Sequence, residues 1–155
     1  MTSAGADDAG EQRQVLVSAC LLGIDARYDG GNCHRPELLE ELDDCSVVPV
    51  CPERLGDLPT PRPPAEITEG DGVDVLKGEA SVVDSEGRDV TENFLRGARQ
   101  VKNLADRLDI EKAYLKEGSP SCGVTVIVRD DREVSGRGVA AALLADSGVE
   151  VKGIR

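Results

Sequence analysis

Apolar residues in this chain fall in short runs bounded by Gly, Pro and acidic residues, and the runs alternate between strand length and helical spacing. Residues 14–19 (QVLVSA) predict a first strand, ending at Cys20-Leu-Leu-Gly23. Arg27-Tyr-Asp-Gly-Gly is a turn signal, and residues 36–42 (PELLEEL) carry Pro at a first helical position with leucines at helical spacing. Residues 46–50 (SVVPV) predict a second buried strand, stopping at Cys51-Pro-Glu53. Residues 52–66 are proline-rich. Proline lacks an N–H and fixes φ, so this stretch is expected as a stiff extended loop, neither helix nor central strand, that lines a site.

Two short segments near 73–84 are expected to pair as a small hairpin. Thr91 is expected to cap a helix over 92–108, with Phe94, Ala98, Val101, Leu104, Ala105 and Leu108 on one face. Residues 112–116 (KAYLK) predict a third strand, running into Glu117-Gly-Ser-Pro-Ser-Cys122-Gly, and 124–128 a further one. A helix over 138–145 closed by Gly148 and a last strand at 149–151 complete the pattern.

Alternating strands and helices imply an α/β fold: a layered, Rossmann-like, mostly parallel sheet flanked by helices, with a small β-hairpin insertion. The length fits one domain, taken as 14–155, preceded by a polar acidic tail over 1–13 that is expected to be disordered. In such sheets ligands bind outside the carboxyl ends of the strands. Cys20, Cys51 and Cys122 each follow a predicted strand end, so three separate segments bring a thiol to one edge of the sheet.

Charge narrows the partners. Thirty Asp and Glu against 18 Lys and Arg give a formal charge of −12. Such a surface repels phosphate backbones and anionic membranes, so nucleic acid is a disfavoured partner and membrane docking is not expected. The acid excess suits a cytosol of very high salt as readily as an ordinary one. No run approaches the length of a membrane span, and the N-terminus lacks the cationic and apolar regions of a secretory signal. A cytoplasmic setting is therefore expected, with the five cysteines as thiols or metal ligands rather than disulfides.

Three thiolates form a soft ligand set, suited to Zn²⁺ or to an iron–sulfur cluster, and they leave one position open for a substrate. Glu53, two residues after Cys51, can move protons beside such a centre. Ser119 and Ser121, flanking Pro120, can donate to a developing anion. Cys33 sits in a Gly-rich loop beside His34, the single histidine; adjacent side chains point apart, so it is expected to be a bystander. Cys45 is expected to pack as a small hydrophobe.

Five stretches together resemble the DUF523 family, which includes the thiouracil desulfurases (thiouracil desulfidases). They are Val17-Ser-Ala-Cys-Leu-Leu-Gly23, Arg27-Tyr-Asp-Gly30, Val48-Pro-Val-Cys-Pro-Glu53, Leu58-Pro-Thr-Pro-Arg-Pro-Pro-Ala-Glu-Ile67 and Leu115-Lys-Glu-Gly-Ser-Pro-Ser-Cys-Gly123. The resemblance runs from about Val15 to Val151 and implies a [4Fe–4S] cluster on Cys20, Cys51 and Cys122, with the fourth iron open. It implies non-redox, hydrolytic removal of sulfur from a thiolated pyrimidine, releasing hydrogen sulfide. Glu53 and a serine of the Ser119/Ser121 pair, with Ser119 favoured, would be the acid/base and positioning groups. Arg27, Tyr28, Asp29, Arg62 and Glu66 would meet the substrate.

The chain departs from the family pattern at Ala26, where many relatives carry a cysteine, and at Asp57, where the family has glycine. Asp57 is expected to place a negative charge near the pocket and to favour a free thiolated nucleobase over a nucleotide or tRNA. The alternative is a non-catalytic iron–sulfur, sulfide or zinc binding or storage protein. A thiol redox sensor pairing Cys33 or Cys45 with a motif cysteine is a third reading.

Overall fold

The computed structural model of the protein describes residues 13–155, so the expected tail lies outside the described residues except for Arg13, which opens the first strand. The chain runs through β1 (Arg13–Ser18), α1 (Pro36–Glu41), β2 (Cys45–Val50), α2 (Pro52–Leu55), β3 (Ala65–Ile67) and α3 (Gly72–Leu76). It continues through β4 (Val82–Asp84), α4 (Thr91–Arg107), β5 (Lys112–Lys116), β6 (Val126–Arg129), β7 (Arg132–Ser135), α5 (Val139–Asp146) and β8 (Glu150–Ile154).

Four strands form one parallel sheet in the order β2-β1-β5-β8, flanked by helices. Both faces of β1 are covered, which explains its uninterrupted apolar run. Leu16 joins Val101, Ala113, Leu115 and Leu144 in a core under α4 and α5. Val15 and Val17 point the other way, with Leu21, Leu38, Leu42 and Tyr114. Each such side chain, once buried, contributes roughly 1.5–3 kcal/mol. The chain leaves β1 for β2 on one side and later returns as β5 on the other. The carboxyl ends of β1 and β5 therefore flank the switch point where α/β sheets bind ligands.

Several local expectations are corrected. The proline-rich stretch begins with a helix, α2, because Pro52 occupies the first helical position, where its missing N–H costs nothing. The same stretch ends in β3. No hairpin forms within 73–84: Asp71 makes a reciprocal capping box with Asp74 that starts α3, and β4 pairs antiparallel with β3 instead. Thr91 lies inside α4, and its Oγ1 accepts the Val82 N–H rather than capping the helix. Leu108 follows α4 and is exposed. β7, unforeseen in the polar sequence Arg132–Ser135, pairs with β6 across a tight turn in which Asp130 and Asp131 both have positive φ.

One close approach sets the site. A Cβ on Gly97 of α4 would collide with the Pro52 carbonyl, and one on Gly56 with the Asn93 carbonyl. The Asn93 side-chain amide donates to the Gly56 carbonyl at 2.7 Å. Two glycines thus let α2 lie against α4, which fixes Glu53 at the end of the sheet.

Candidate active site

Each thiol is delivered by a turn at a strand end. Cys20 lies in a 3-10 turn, Ala19–Leu22, directly after β1, closed by Gly23 at φ 86°. Cys51 is the residue between β2 and α2. Cys122 sits in the turn after β5, where Ser119 Oγ accepts the N–H groups of Ser121 at 3.1 Å and Cys122 at 3.0 Å. The three open on one cavity of about 390 Å³, together with Glu53, Ser119, Ser121, Arg27, Tyr28 and Arg62.

Glu53 is held at both oxygens. Arg62 Nε donates to Oε1 at 2.8 Å, and Ser121 Oγ donates to Oε2 at 3.0 Å. Arg62 is almost fully buried and also donates to the carbonyls of Pro59 and Ala26 and to Thr60 Oγ1. The proline-rich loop is therefore folded around one guanidinium, whose planar fork suits this many acceptors. Ser119 Oγ lies 3.0 Å from Ser121 Oγ, so Ser119, Ser121 and Glu53 form a continuous hydrogen-bonded chain beside Cys122.

The thiols press on one another. Burial pushes Cys20 up to about 12, and the charges of Cys122, Cys33 and Cys51 add to the shift against the pull of Lys116. Burial likewise pushes Cys122 up to about 12, relieved by hydrogen bonds from Ser18 and Ser121 and worsened by Cys51 and Glu53. Ionised thiols here lack sufficient counter-charge, and a cationic metal body reverses that balance. Among the described residues no three His, Cys, Asp or Glu side chains close around a single ion. Three thiols on one cavity are a soft ligand set that fits an iron–sulfur cluster.

Two of the expected substrate residues lie elsewhere. Asp29 is exposed, accepts the Gly31 N–H and pairs with Arg27 at 3.4 Å outside the cavity lining. Glu66, on β3, accepts the Asp130 N–H at 3.1 Å and does not line the cavity. Asp57 does not charge the pocket: it is exposed and paired with Arg96 of α4 at 2.6 Å. Its φ of 69° explains why glycine suits this position and why Asp is tolerated.

The cavity also holds residues not expected in it, among them Cys33, a bystander on sequence grounds. Cys33 is buried in its wall and accepts from Arg27 Nη1 at 3.1 Å. Lys116 and Glu117 line it as well. The Glu117 carboxylate accepts the N–H groups of Val124 and Thr125 and the Thr125 hydroxyl, which ties down the loop that follows Cys122. Burial would raise its pKa, but these hydrogen bonds outweigh it and hold the carboxyl below its ordinary value. Glu117 lies within the Leu115–Gly123 stretch, but nothing in that stretch marks it as a site residue beyond a carboxylate between a buried strand and a glycine. Cys45 opens β2, away from the cavity, as a partly buried packing residue.

Residues 15–153 match a protein family described as 2-thiouracil desulfurase. A Bacillus subtilis (strain 168) protein named "Uncharacterized protein YbbK" is 41% identical over 140 residues, covering 88% of this chain and 93% of its own length. The solved structure titled "[4Fe-4S]-dependent thiouracil desulfidase TudS (DUF523Vcz)" is similar at a TM-score of 0.77 and 38% identity, covering 92% of this chain and 91% of that one.

Proposed function

The chain belongs to the 2-thiouracil desulfurase family, and from that premise we propose that it is a [4Fe–4S]-dependent desulfidase. It exchanges the sulfur of a small thiolated pyrimidine for water oxygen and releases hydrogen sulfide. The observation that carries this reading is the Ser119–Ser121–Glu53 chain, set in the same cavity as Cys20, Cys51 and Cys122. A cluster on those three thiols supplies an iron without a protein ligand, a soft Lewis acid for the substrate's sulfur.

This chain's own residues then handle position and protons. Arg62 pins Oε1 of Glu53 and leaves Oε2 toward the serines and the cavity. Glu53 takes a proton from the water that attacks the C–S carbon and returns it as the sulfur departs. Ser121 donates to Glu53 and, through Ser119, connects it to the cavity. Tyr28 offers an exposed ring at the mouth, with the Arg27 guanidinium 5.4 Å from its centre, a flat surface for a heteroaromatic base. Asp57, turned out to Arg96, has no part in this selection.

The described residues include no helix long and apolar enough to cross a membrane. All five cysteines are free, which suits the reducing cytoplasm where we place this chemistry.

The test is anaerobic reconstitution, which should give about four irons per chain, followed by incubation with thiobases, thionucleosides and thiolated tRNA while sulfide release is measured. Thiobases should release sulfide, and Cys51→Ala should abolish both cluster and turnover. A colourless protein that desulfurates thiouracil at full rate would defeat the proposal.

A further inference from the structure

Each carboxylate on the cavity lining is held by a partner other than Lys116. Glu53 is taken by Arg62 and Ser121, Glu117 by the N–H groups of Val124 and Thr125, and Glu133 by Arg155 at 2.9 Å and 3.3 Å. The two arginines on the lining are engaged as well. Arg62 serves four acceptors, and Arg27 donates to Cys33 Sγ at 3.1 Å and pairs with Asp29. Lys116 lines the same cavity, yet among the described residues no carboxylate lies within ion-pair distance of it. Its Nζ makes one hydrogen bond, to the neighbouring Glu117 backbone carbonyl at 3.1 Å. An ammonium carries three donors, so two remain for a ligand.

The fold sets where those donors stand. Lys116 ends β5 on the strand face of Tyr114, opposite that of Leu115, which enters the core under α4 and α5. Its backbone N–H donates at 3.0 Å to the hydroxyl of buried Ser18, the last residue of β1. The main chain is thereby fixed at the carboxyl end of the sheet, while the flexible four-carbon stem can adjust to a ligand.

A thiolated pyrimidine of the thiouracil type offers a sulfur, the carbon that bears it, a flat ring face, and an oxygen across one ring N–H from the sulfur. The desulfidase reading above gives the sulfur to the open iron, the carbon to water and Glu53, and the ring face to Tyr28. It leaves the oxygen without a partner. We infer that Lys116 receives that oxygen and is a specificity-determining residue, selecting pyrimidines with an acceptor there over those with an amino group or a hydrogen. The inference rests on that reading. A charge-assisted N–H···O bond fixes the rotation of the ring in the cavity. An amino group in the same place would set donor against donor. The contact makes no covalent bond and moves no electrons.

The test uses anaerobically reconstituted wild-type protein, Lys116→Met and Lys116→Arg, each first analysed for iron and acid-labile sulfide. Calorimetry with uracil and with pyrimidin-2-one, which lacks the second oxygen, reads the contact without turnover. Wild-type protein should bind uracil roughly 10–100-fold more tightly, the range for a hydrogen bond to a charged group. Lys116→Met should bind the two alike, and Lys116→Arg should keep part of the preference. In turnover, wild type should favour 2-thiouracil over 2-thiocytosine. Lys116→Met should lose that preference through a raised KM for 2-thiouracil, since the contact is made before the reaction begins. Equal affinity of wild type for uracil and pyrimidin-2-one, or no measurable binding of either, would overturn the inference and leave the desulfidase reading standing. So would a Lys116→Met protein that keeps the wild-type preference, or one that takes up no cluster, because Lys116 would then serve the fold or the cluster. A wild-type protein that releases sulfide from no thiobase would overturn the desulfidase reading and this inference with it.

Discussion

Ser121 Oγ donates to Glu53 Oε2 at 3.0 Å although 68 residues separate them. The contact joins α2, which follows β2, to the loop after β5, across the switch point of the sheet. It also divides the labour between the two serines. Ser119 Oγ is occupied by two backbone N–H groups and shapes the turn, whereas Ser121 touches the carboxylate itself.

That division separates the variants. Glu53→Gln should lower kcat about 10²–10⁴-fold, the range for losing a general acid–base group, with the cluster's visible absorption retained. Ser121→Ala should lower kcat by about 10²-fold, as for loss of one positioned donor, also with a full cluster. Ser119→Ala should differ in kind: two amides lose their acceptor, the turn that presents Cys122 loosens, and iron content falls together with activity. Iron assay alongside kcat distinguishes the two serines, and equal iron loss in both would refute the assignment.

Arg62 is the structural centre of the proline-rich loop. Its pair with Glu53 is nearly sealed, with side chains 5% and 14% exposed. Removing one partner of a buried pair leaves the other charge without compensation, at a cost of about 3–5 kcal/mol. Arg62→Met should lose about 3 kcal/mol by urea unfolding of the metal-free protein, discounting for the residual exposure of Glu53. Arg62→Lys should recover only part of that, because an ammonium cannot reach acceptors on Pro59, Thr60, Ala26 and Glu53 together.

The sheet and its thiols were legible because both leave marks in the sequence. Strands buried on two faces read as apolar runs, and Cys20 and Cys51 stand where two of those runs stop. What escaped depends on groups far apart in the chain. Cys33 looks like a loop residue until its amide meets the Cys20 carbonyl and its sulfur meets Arg27. Glu117 looks like a strand-end acid until the loop at 124–126 folds onto it. Pro52 misleads in the opposite sense, since the property that bars proline from a helix interior suits it to a helix start. Asp57 misleads because closeness in sequence to a pocket loop does not set the direction of a side chain.

Glu117 gives a pH dependence of definite sign. Its carboxyl is held below the ordinary 4.5 in the folded protein. The stability it contributes is therefore complete above the unfolded-state value and is lost as pH falls through the lower, folded value. Glu117→Gln should destabilise the protein by about 2 kcal/mol at neutral pH, the scale of a hydrogen bond to a charged group. The gap between variant and wild type should narrow as pH falls below the ordinary 4.5 and through the lower, folded value, beneath which both side chains are neutral. Gly153→Ala should mimic the loss at every pH, because its Cβ would collide with the Glu117 carboxylate. A gap that widens on acidification would contradict this account.

The metal-free thiols should be slow to react. With Cys20 and Cys122 pushed up to about 12, few of them are ionised at neutral pH, and the thiolate is the nucleophile. Iodoacetamide labelling of the metal-free, folded protein should rise about tenfold per pH unit between roughly pH 8 and 10 at these two positions. In denaturant the same thiols should level off near their ordinary value of 9.0. Peptide mass mapping gives the rate at each cysteine, and a plateau near pH 9 in the folded protein would contradict the electrostatic picture.

Asp57 makes the sharpest contrast with its sequence-level expectation. An acid next to a pocket loop should repel an anionic substrate, but this one is exposed and faces Arg96 at 2.6 Å. Exposed pairs of this type contribute about 0–1 kcal/mol and are screened by salt. Asp57→Asn should therefore change stability by less than about 1 kcal/mol, with the difference vanishing in high salt. It should also leave the relative kcat/KM for a thiobase and for its 5′-phosphorylated nucleotide unchanged, because no Asp57 charge reaches the cavity. A selective gain for the nucleotide in Asp57→Asn would show that the carboxylate leaves Arg96 and turns toward the substrate in solution.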